Sequence, residues 1–474
     1  MKNKLDNKTY KTFSSYIEFV KSLLSKENFR QRQLATKEGI RIVHLNSDYW
    51  IRSTVDYLED SQEFQNLRKD SKIPTYNLKN FFRRSKLYLE IFESSLKDVD
   101  SYFDILSSAF DKRQVKTTKL RLIESVDFDK PTIDFGTFSI QKFSKRQLDE
   151  LVQNQSNRIF YHNAELDTSK LEDFWFIVEE QTIIKEMLNP SLLTIDTGDY
   201  IVSGDLPDRV VQLLALFDWE NFETSSDKIE NDPGWFPFSL PILIEVNDDV
   251  FKSPRNSPNL SGLMFEPYFD NYGEEVGERP FFFISMLKWE IDKFESVVKR
   301  YKDFINSIDL RECNWDFLDI AMGYLAKALL TKDYMEQLLW HITVLEALLN
   351  EDNEKDGITN NIKRRLGLIF GENDQKKIES IRKSFGDLYD FRSKLVHGKS
   401  MKRSVYQGHL KEARKLAREM LCWFIDSLAP IHSQLTKKGI SANKYPKHDK
   451  ILFAIDFKLK TIKCDYGEIE FRVN

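Results

Sequence analysis

Tyr389-Asp390-Phe391-Arg392-Ser393-Lys394-Leu395-Val396-His397-Gly398 closes the segment on which the reading of this chain turns. Ile378, Ile381, Phe385, Leu388 and Leu395 recur at spacings of three, four and seven, the period of one helical face. Arg392 falls where that stripe should continue. A core-facing stripe seldom carries an arginine, because burying a guanidinium without partners is costly. The position therefore calls for an interface, an acidic partner or a phosphate. His397 directly precedes Gly398, the residue type that most often ends a helix in the left-handed conformation. The imidazole is thus expected at a helix C-terminus, where the partial negative charge favours imidazolium and raises its pKa from about 6.5. A proton donor and acceptor close to neutral pH is the chemical expectation. Five residues of ideal helix turn through about 140° and rise roughly 7.5 Å. Arg392 and His397 need not converge within one chain, whereas a two-fold pair of such helices brings the groups of both chains to one composite site.

An arginine, four residues and a histidine on the third helix of an all-helical unit resembles the signature of the HEPN superfamily. The run from Leu388 to Gly398, with Val344-Leu345-Glu346-Ala347-Leu348-Leu349 upstream, is similar to its ApeA-like branch, found in anti-phage systems. The resemblance spans about residues 300–435. It implies a HEPN helical bundle, a homodimer, and a metal-independent endoribonuclease of toxin or abortive-infection type, a hydrolase without cofactor, with Arg392 and His397 catalytic. Ser393 stands where active members commonly carry Asn, Asp or His. Anti-phage defence, a phage-derived trigger and an RNA substrate such as tRNA come from this resemblance alone.

The residues suit that chemistry. Cleaving RNA without metal requires removing a proton from the ribose 2′-hydroxyl, stabilising charge on phosphorus, and protonating the 5′-leaving oxygen. A histidine exchanges the protons and an arginine fork meets the phosphate oxygens. The products are a 2′,3′-cyclic phosphate and a 5′-hydroxyl, and DNA is inert. Ser393, Lys394, Lys399, Lys402 and Arg403 are candidate RNA contacts, positioning the strand without reading sequence. The competing reading pairs Arg392 with Asp390 or Glu346 and leaves His397 as a helix cap. The unit is then a non-catalytic RNA-binding or partner-binding module, of adaptor or antitoxin-like kind, or a plain helical scaffold.

Composition neither adds nor removes much. The 474 residues carry a net charge of −5, with 41% hydrophobic and 31% charged residues, as ordinary soluble proteins do. The distribution is more telling: residues 361–420 hold 16 Lys and Arg against 7 Asp and Glu, a local +9, leaving −14 elsewhere. Cys313, Cys422 and Cys464 form neither a disulfide framework nor a zinc pattern, and are expected reduced. The chain opens on no signal-type apolar run, and Phe281–Leu287 is too short to span a bilayer, so a cytoplasmic location without membrane contact is expected. No phosphate loop, His-Glu-x-x-His, Gly-x-Ser-x-Gly or Glu-x-Lys occurs, so no ATP or metal site is predicted.

An α+β multidomain chain is the resulting expectation. Residues 1–112 read as a helical N-terminal region, with Ile17, Val20 and Leu24 on one stripe, a second over Leu78–Phe110, and His44 and Trp50 structural. Residues 113–287 read as a strand-rich middle domain of sensor or regulatory type. Its strands are expected at Leu120–Ile123, at Ile133–Ile140 with an interruption at Gly136, and at Phe174–Val178, its helix at Arg209–Phe217, and a loop at 253–259. Tyr161, His162, Glu245, Asp248 and Asp249 carry no recognised spacing. Residues 288–435 read as the HEPN bundle, with helices over 289–305, 315–330, 334–349, 358–370, 374–397 and 405–435. The tail from 446 to 474 alternates at Phe453, Ile455, Phe457, Leu459 and at Ile469, Phe471, Val473 around Asp465-Tyr466-Gly467, which predicts a β-hairpin. That hairpin is expected to extend the middle sheet or cover a dimer surface. The acidic N-terminal three hundred residues are expected to restrain the nuclease, by covering the basic face or by separating the two His397 helices.

Overall fold

The computed structural model describes residues 114–124, 126–153, 167–184, 209–219, 240, 242–247, 260–282, 284–308, 310, 313–351, 357–398 and 403–471. The helical reading of residues 1–112, with His44 and Trp50, lies outside them, as do Tyr161, His162, Asp248, Asp249, the loop at 253–259 and Val473. In chain order the elements begin with β1 (Gln114–Ile123), β2 (Val126–Phe128), β3 (Thr132–Asp134), β4 (Phe138–Lys142), α1 (Lys145–Gln153), β5 (Trp175–Ile184), α2 (Arg209–Ala215) and β6 (Leu243–Asn247). Then come β7 (Phe265–Phe269), β8 (Glu275–Pro280), β9 (Ile284–Met286), α3 (Lys288–Ser307), α4 (Asp316–Leu330), α5 (Tyr334–Leu349) and α6 (Ile358–Phe370). The chain continues through α7 (Gln375–Val396), α8 (Arg403–Lys437), α9 (His448–Asp456), β10 (Thr461–Cys464) and β11 (Gly467–Glu470). The protein is α+β, and its described residues fall in two compact units.

The first unit holds β1, β4 to β8 and α1. Within it β4, β5, β1 and β6 lie side by side in that order, antiparallel throughout. Leu120 faces Val178 on one ladder and Ile244 on the other, and Leu122 faces Phe176. Leu120, Leu122, Phe176 and Ile244 are almost wholly buried, as is Ile177, so these strands read as apolar runs rather than as alternation. Expected strands at Leu120–Ile123 and Phe174–Val178 fall in β1 and β5, which extend further through polar residues. The interruption expected at Gly136 within Ile133–Ile140 is found: Gly136, at φ +81, lies between β3 and β4. β7 and β8 form a hairpin, its turn held by Asp270 Oδ1, which accepts from the backbone of Tyr272 and Glu274 at 2.8 and 3.0 Å.

The second unit takes β2, β3, α2 and everything from β9 onward. The helices α3 to α8 match the six helices expected from periodicity to within about two residues at most ends. Start signals explain the sharpest boundaries. Asp333 caps α5 by accepting from the Glu336 backbone at 2.9 Å, and Asp374 caps α7 by accepting from Lys376 at 2.9 Å. Leu345, Leu348, Leu366, Phe385, Leu388, Leu410, Met420 and Phe424 form its buried core. α6 and α7 approach closely because Gly371 carries no side chain: a Cβ there would lie 2.2 Å from Ile378. Cys313 is buried, and none of the three cysteines is bridged.

Two expectations change here. Phe391, at 3% exposure, fills the core position after Leu388, so Arg392 lies at the edge of the buried stripe rather than on it. The tail differs more. Residues 448–456 form a helix, not the first strand of a hairpin, and the hairpin is confined to Thr461–Glu470. The alternation Phe453, Ile455, Phe457 coexists with a helical stripe, Ile451, Leu452, Ala454 and Ile455, and burial of that stripe decides the outcome. Phe453 and Phe457 are left outside. The hairpin is a two-stranded sheet of its own, seated on α8 through the Phe471 and Trp423 rings, 6.2 Å apart.

Asp456, at the end of α9, receives two guanidinium groups of α6. Arg364 donates to it at 2.9 and 3.2 Å, and Arg365 at 2.7 and 3.1 Å. Arg365 is 1% exposed and spends a further donor on the Leu349 carbonyl at 2.6 Å, at the end of α5. Removing the carboxylate leaves a buried cation without its counter-charge. Asp456→Ala is expected to cost about 3–5 kcal/mol, read as a lower midpoint in denaturant unfolding; an unchanged midpoint contradicts this role.

Candidate active site

α7 carries the site residues because its last turns combine a buried apolar face with a polar edge. Arg392 is 30% exposed at the side chain and its guanidinium stands 5.2 Å from the centre of the Tyr389 ring. Its Nη2 is 3.7 Å from Glu346 Oε1 on α5, longer than a charge-assisted bond, and its buried Nε has no hydrogen-bond partner. Glu346 also hydrogen-bonds Tyr389. Burial, reinforced by the Glu346 carboxylate, holds the Tyr389 phenol above its ordinary pKa, so the hydroxyl stays a proton donor. Arg392 is thereby oriented by an aromatic face and a loose ion pair, with part of its fork open to solvent.

His397 caps α7. Its backbone N–H donates to the Ser393 carbonyl at 3.1 Å, and Gly398 follows in the left-handed region at φ +73, donating to Leu395 at 2.9 Å. The imidazole is exposed, as are Ser393 and Lys394. The helix C-terminus expected at His397 is therefore found. Arg392 and His397 are not in contact within the chain, consistent with their separation along and around α7. Lys399 and Lys402 lie outside the described residues, and Arg403 opens α8, its side chain outside the description.

Two neighbours carry no motif signal in the sequence. Thr359 of α6 hydrogen-bonds Tyr389, joining α5, α6 and α7 at one point. His409 of α8 stacks on Phe391 with ring centres 4.4 Å apart. Burial lowers its pKa, opposed by Asp387 and Glu412 and assisted by Lys394. Its ring packs on the residue that directly precedes Arg392. Its only sequence signal is a histidine in the first turns of a long helix. Among the described residues no three His, Cys, Asp or Glu side chains gather as a metal site, and no helix is long and apolar enough to cross a membrane.

Elsewhere in the second unit, Phe217, Trp219, His341, Arg414 and Arg418 line a small cavity. His341 Nδ1–H donates to the Gln337 carbonyl at 2.6 Å, and Arg414 donates to the Gln337 side chain. Arg418 donates to Asp218 at 2.9 Å. Burial, with Arg414 and Arg418 adding repulsion, pushes His341 down to about 3.

The chain matches no family model, no curated protein and no solved structure.

His341 is neutral when folded, while the unfolded chain takes up its proton near pH 6.5. The stability it supports is complete above that pH and is lost as pH falls toward about 3. His341→Gln is expected to lose about 2–3 kcal/mol less than the native chain between pH 6.5 and pH 4, as measured by denaturant unfolding at each pH. Parallel curves for the two proteins contradict the assignment.

Proposed function

We propose that the helical unit is a HEPN domain and that the protein is a metal-independent endoribonuclease cutting RNA at Arg392 and His397. The observation that carries this reading is the pairing, on one helix end, of a partly exposed arginine and an exposed histidine cap. Arg392 meets the non-bridging oxygens of the phosphate. His397 exchanges protons with the 2′-hydroxyl or the 5′-oxygen, and the second copy in a homodimer supplies the complementary pair. Ser393, Lys394, Lys399, Lys402 and Arg403 hold the strand. Structured RNA such as tRNA, in an abortive response to phage, is the setting that the family resemblance supplies. The net −14 outside residues 361–420 supports an acidic restraint on this basic face.

The 3.7 Å approach of Glu346 to Arg392 favours a second reading. In it the arginine is a structural ion-pair member and the unit binds RNA or a protein partner without cutting, as an adaptor or antitoxin-like module.

The two readings separate in one assay. The full chain is incubated with structured RNA in EDTA, beside His397→Ala and Arg392→Ala, with analysis of the new ends. Cleavage by the native chain leaving 2′,3′-cyclic phosphate, reduced at least about 100-fold in His397→Ala, is the expected result. Equal cleavage by all three proteins overturns the site, and RNA binding that survives in His397→Ala without cleavage by any of them favours the second reading.

A further inference from the structure

The helix that replaces the expected strand leaves a surface that the active site does not use. On α9 and at its C-cap, the rings of Phe453 and Phe457 stand one turn apart, with centroids 4.5 Å from each other and planes tilted by 41°. They are 55% and 63% exposed, and Leu459 beside them is 37% exposed. The two rings are among the more exposed large apolar side chains of the described residues, and the opposite face of α9 is buried.

The surroundings are strongly basic. Residues 437–463 contain eight lysines and two aspartates. Asp456 is committed to Arg364 and Arg365, which leaves Asp449 as the other acid of the stretch. Lys447, Lys450, Lys458 and Lys460 are exposed. Lys458 donates to Asn373 at 2.6 Å, and Lys463 stands 3.9 Å from Glu468. Lys447, Lys450 and Lys460 carry no ion pair among the described residues.

Exposed aromatic faces bordered by unpaired cations form the combination that grips single-stranded nucleic acid. Bases stack on the rings and phosphates meet the lysines. An acidic protein would use the lysines but has no need of two bare rings. A bilayer would use both, but three apolar side chains are few for anchoring. We propose that Phe453, Phe457 and the lysines around them form a binding platform for single-stranded RNA. It is a positioning surface separate from Arg392 and His397.

The choice of RNA over DNA, and the role in positioning, rest on the ribonuclease reading; the binding itself does not. Lys458 touches Asn373, just before the start of α7, while His397 ends that helix. The 22 residues of α7 place the two surfaces roughly 33 Å apart. The platform therefore holds a part of the RNA remote from the cut.

The test uses the full chain carrying His397→Ala, so that bound RNA stays intact, and fluorescence anisotropy with a labelled single-stranded RNA of mixed sequence. Adding Phe453→Ala and Phe457→Ala is expected to weaken binding about 10- to 100-fold, with Tyr at both positions restoring it. Both rings are exposed, so thermal unfolding of these variants is expected to stay unchanged. Replacing Lys450, Lys458 and Lys460 by Ala is expected to lower the slope of log affinity against log salt by about 2. Undiminished RNA binding in the double Ala variant overturns the platform, as does a loss confined to vesicles of phosphatidylcholine and phosphatidylserine. Binding that requires the rings, in a chain that never cuts RNA, keeps the platform and removes the nuclease. Cutting that depends on His397, with binding indifferent to the rings, does the reverse.

Discussion

Arg365, buried at the centre of α5, α6 and α9, is the constraint on which the arrangement of the helical unit depends. An isolated guanidinium in that place is not tolerated, and three acceptors converge on it: two oxygens of Asp456 and the carbonyl that ends α5. The Asp456 carboxylate is shared with Arg364, so one acid closes α9 onto two consecutive residues of α6. Such an assembly adds little net stability over a well-packed apolar one. Its four hydrogen bonds tie the end of α9 to two consecutive residues of α6.

That placement has consequences in two directions. Outward, it turns Phe453 and Phe457 to solvent, because Ile451, Leu452, Ala454 and Ile455 must face inward for Asp456 to reach α6. Inward, it holds α6, and α6 holds α7 through the close approach at Gly371 and through Thr359 on Tyr389. Tyr389 and Glu346 then orient Arg392. A chain of packed and hydrogen-bonded groups thus runs from the tail to the candidate site, within one unit. Arg392 itself is held loosely, with a long contact to Glu346 and an Nε lacking a partner.

The helices were legible because their apolar periods are long and their starts are marked, as at Asp333 and Asp374. The His397 cap was legible for the same reason, since Gly398 supplies the positive φ. β1 and β5 were visible in their apolar cores, but not in their polar extensions, which pair only because a partner strand is present. α9 departs from the expected strand because Phe453, Ile455, Phe457 and Leu459 alternate in sequence, whereas burial follows Ile451, Leu452, Ala454 and Ile455, the stripe of a helix. The hairpin of β7 and β8 offered no signal, being exposed at nearly every position. Phe391 and Arg392 could not be ranked by spacing, since either continues the stripe. Of the two carboxylates expected beside Arg392, Glu346 is the one that approaches it, whereas Thr359 and His409 are brought to the site from two other helices and no local pattern could have named them together.

The central claim is that RNA is the ligand of the helical unit, engaged at both ends of α7. Ultraviolet crosslinking of the full His397→Ala chain to single-stranded RNA, with mass-spectrometric mapping of the attached peptides, tests it most directly. The account predicts crosslinks at the peptide carrying Phe453 and Phe457 and at the segment joining α7 to α8. Crosslinks confined to residues outside the second unit, or none under conditions where a known RNA-binding protein crosslinks, would contradict it.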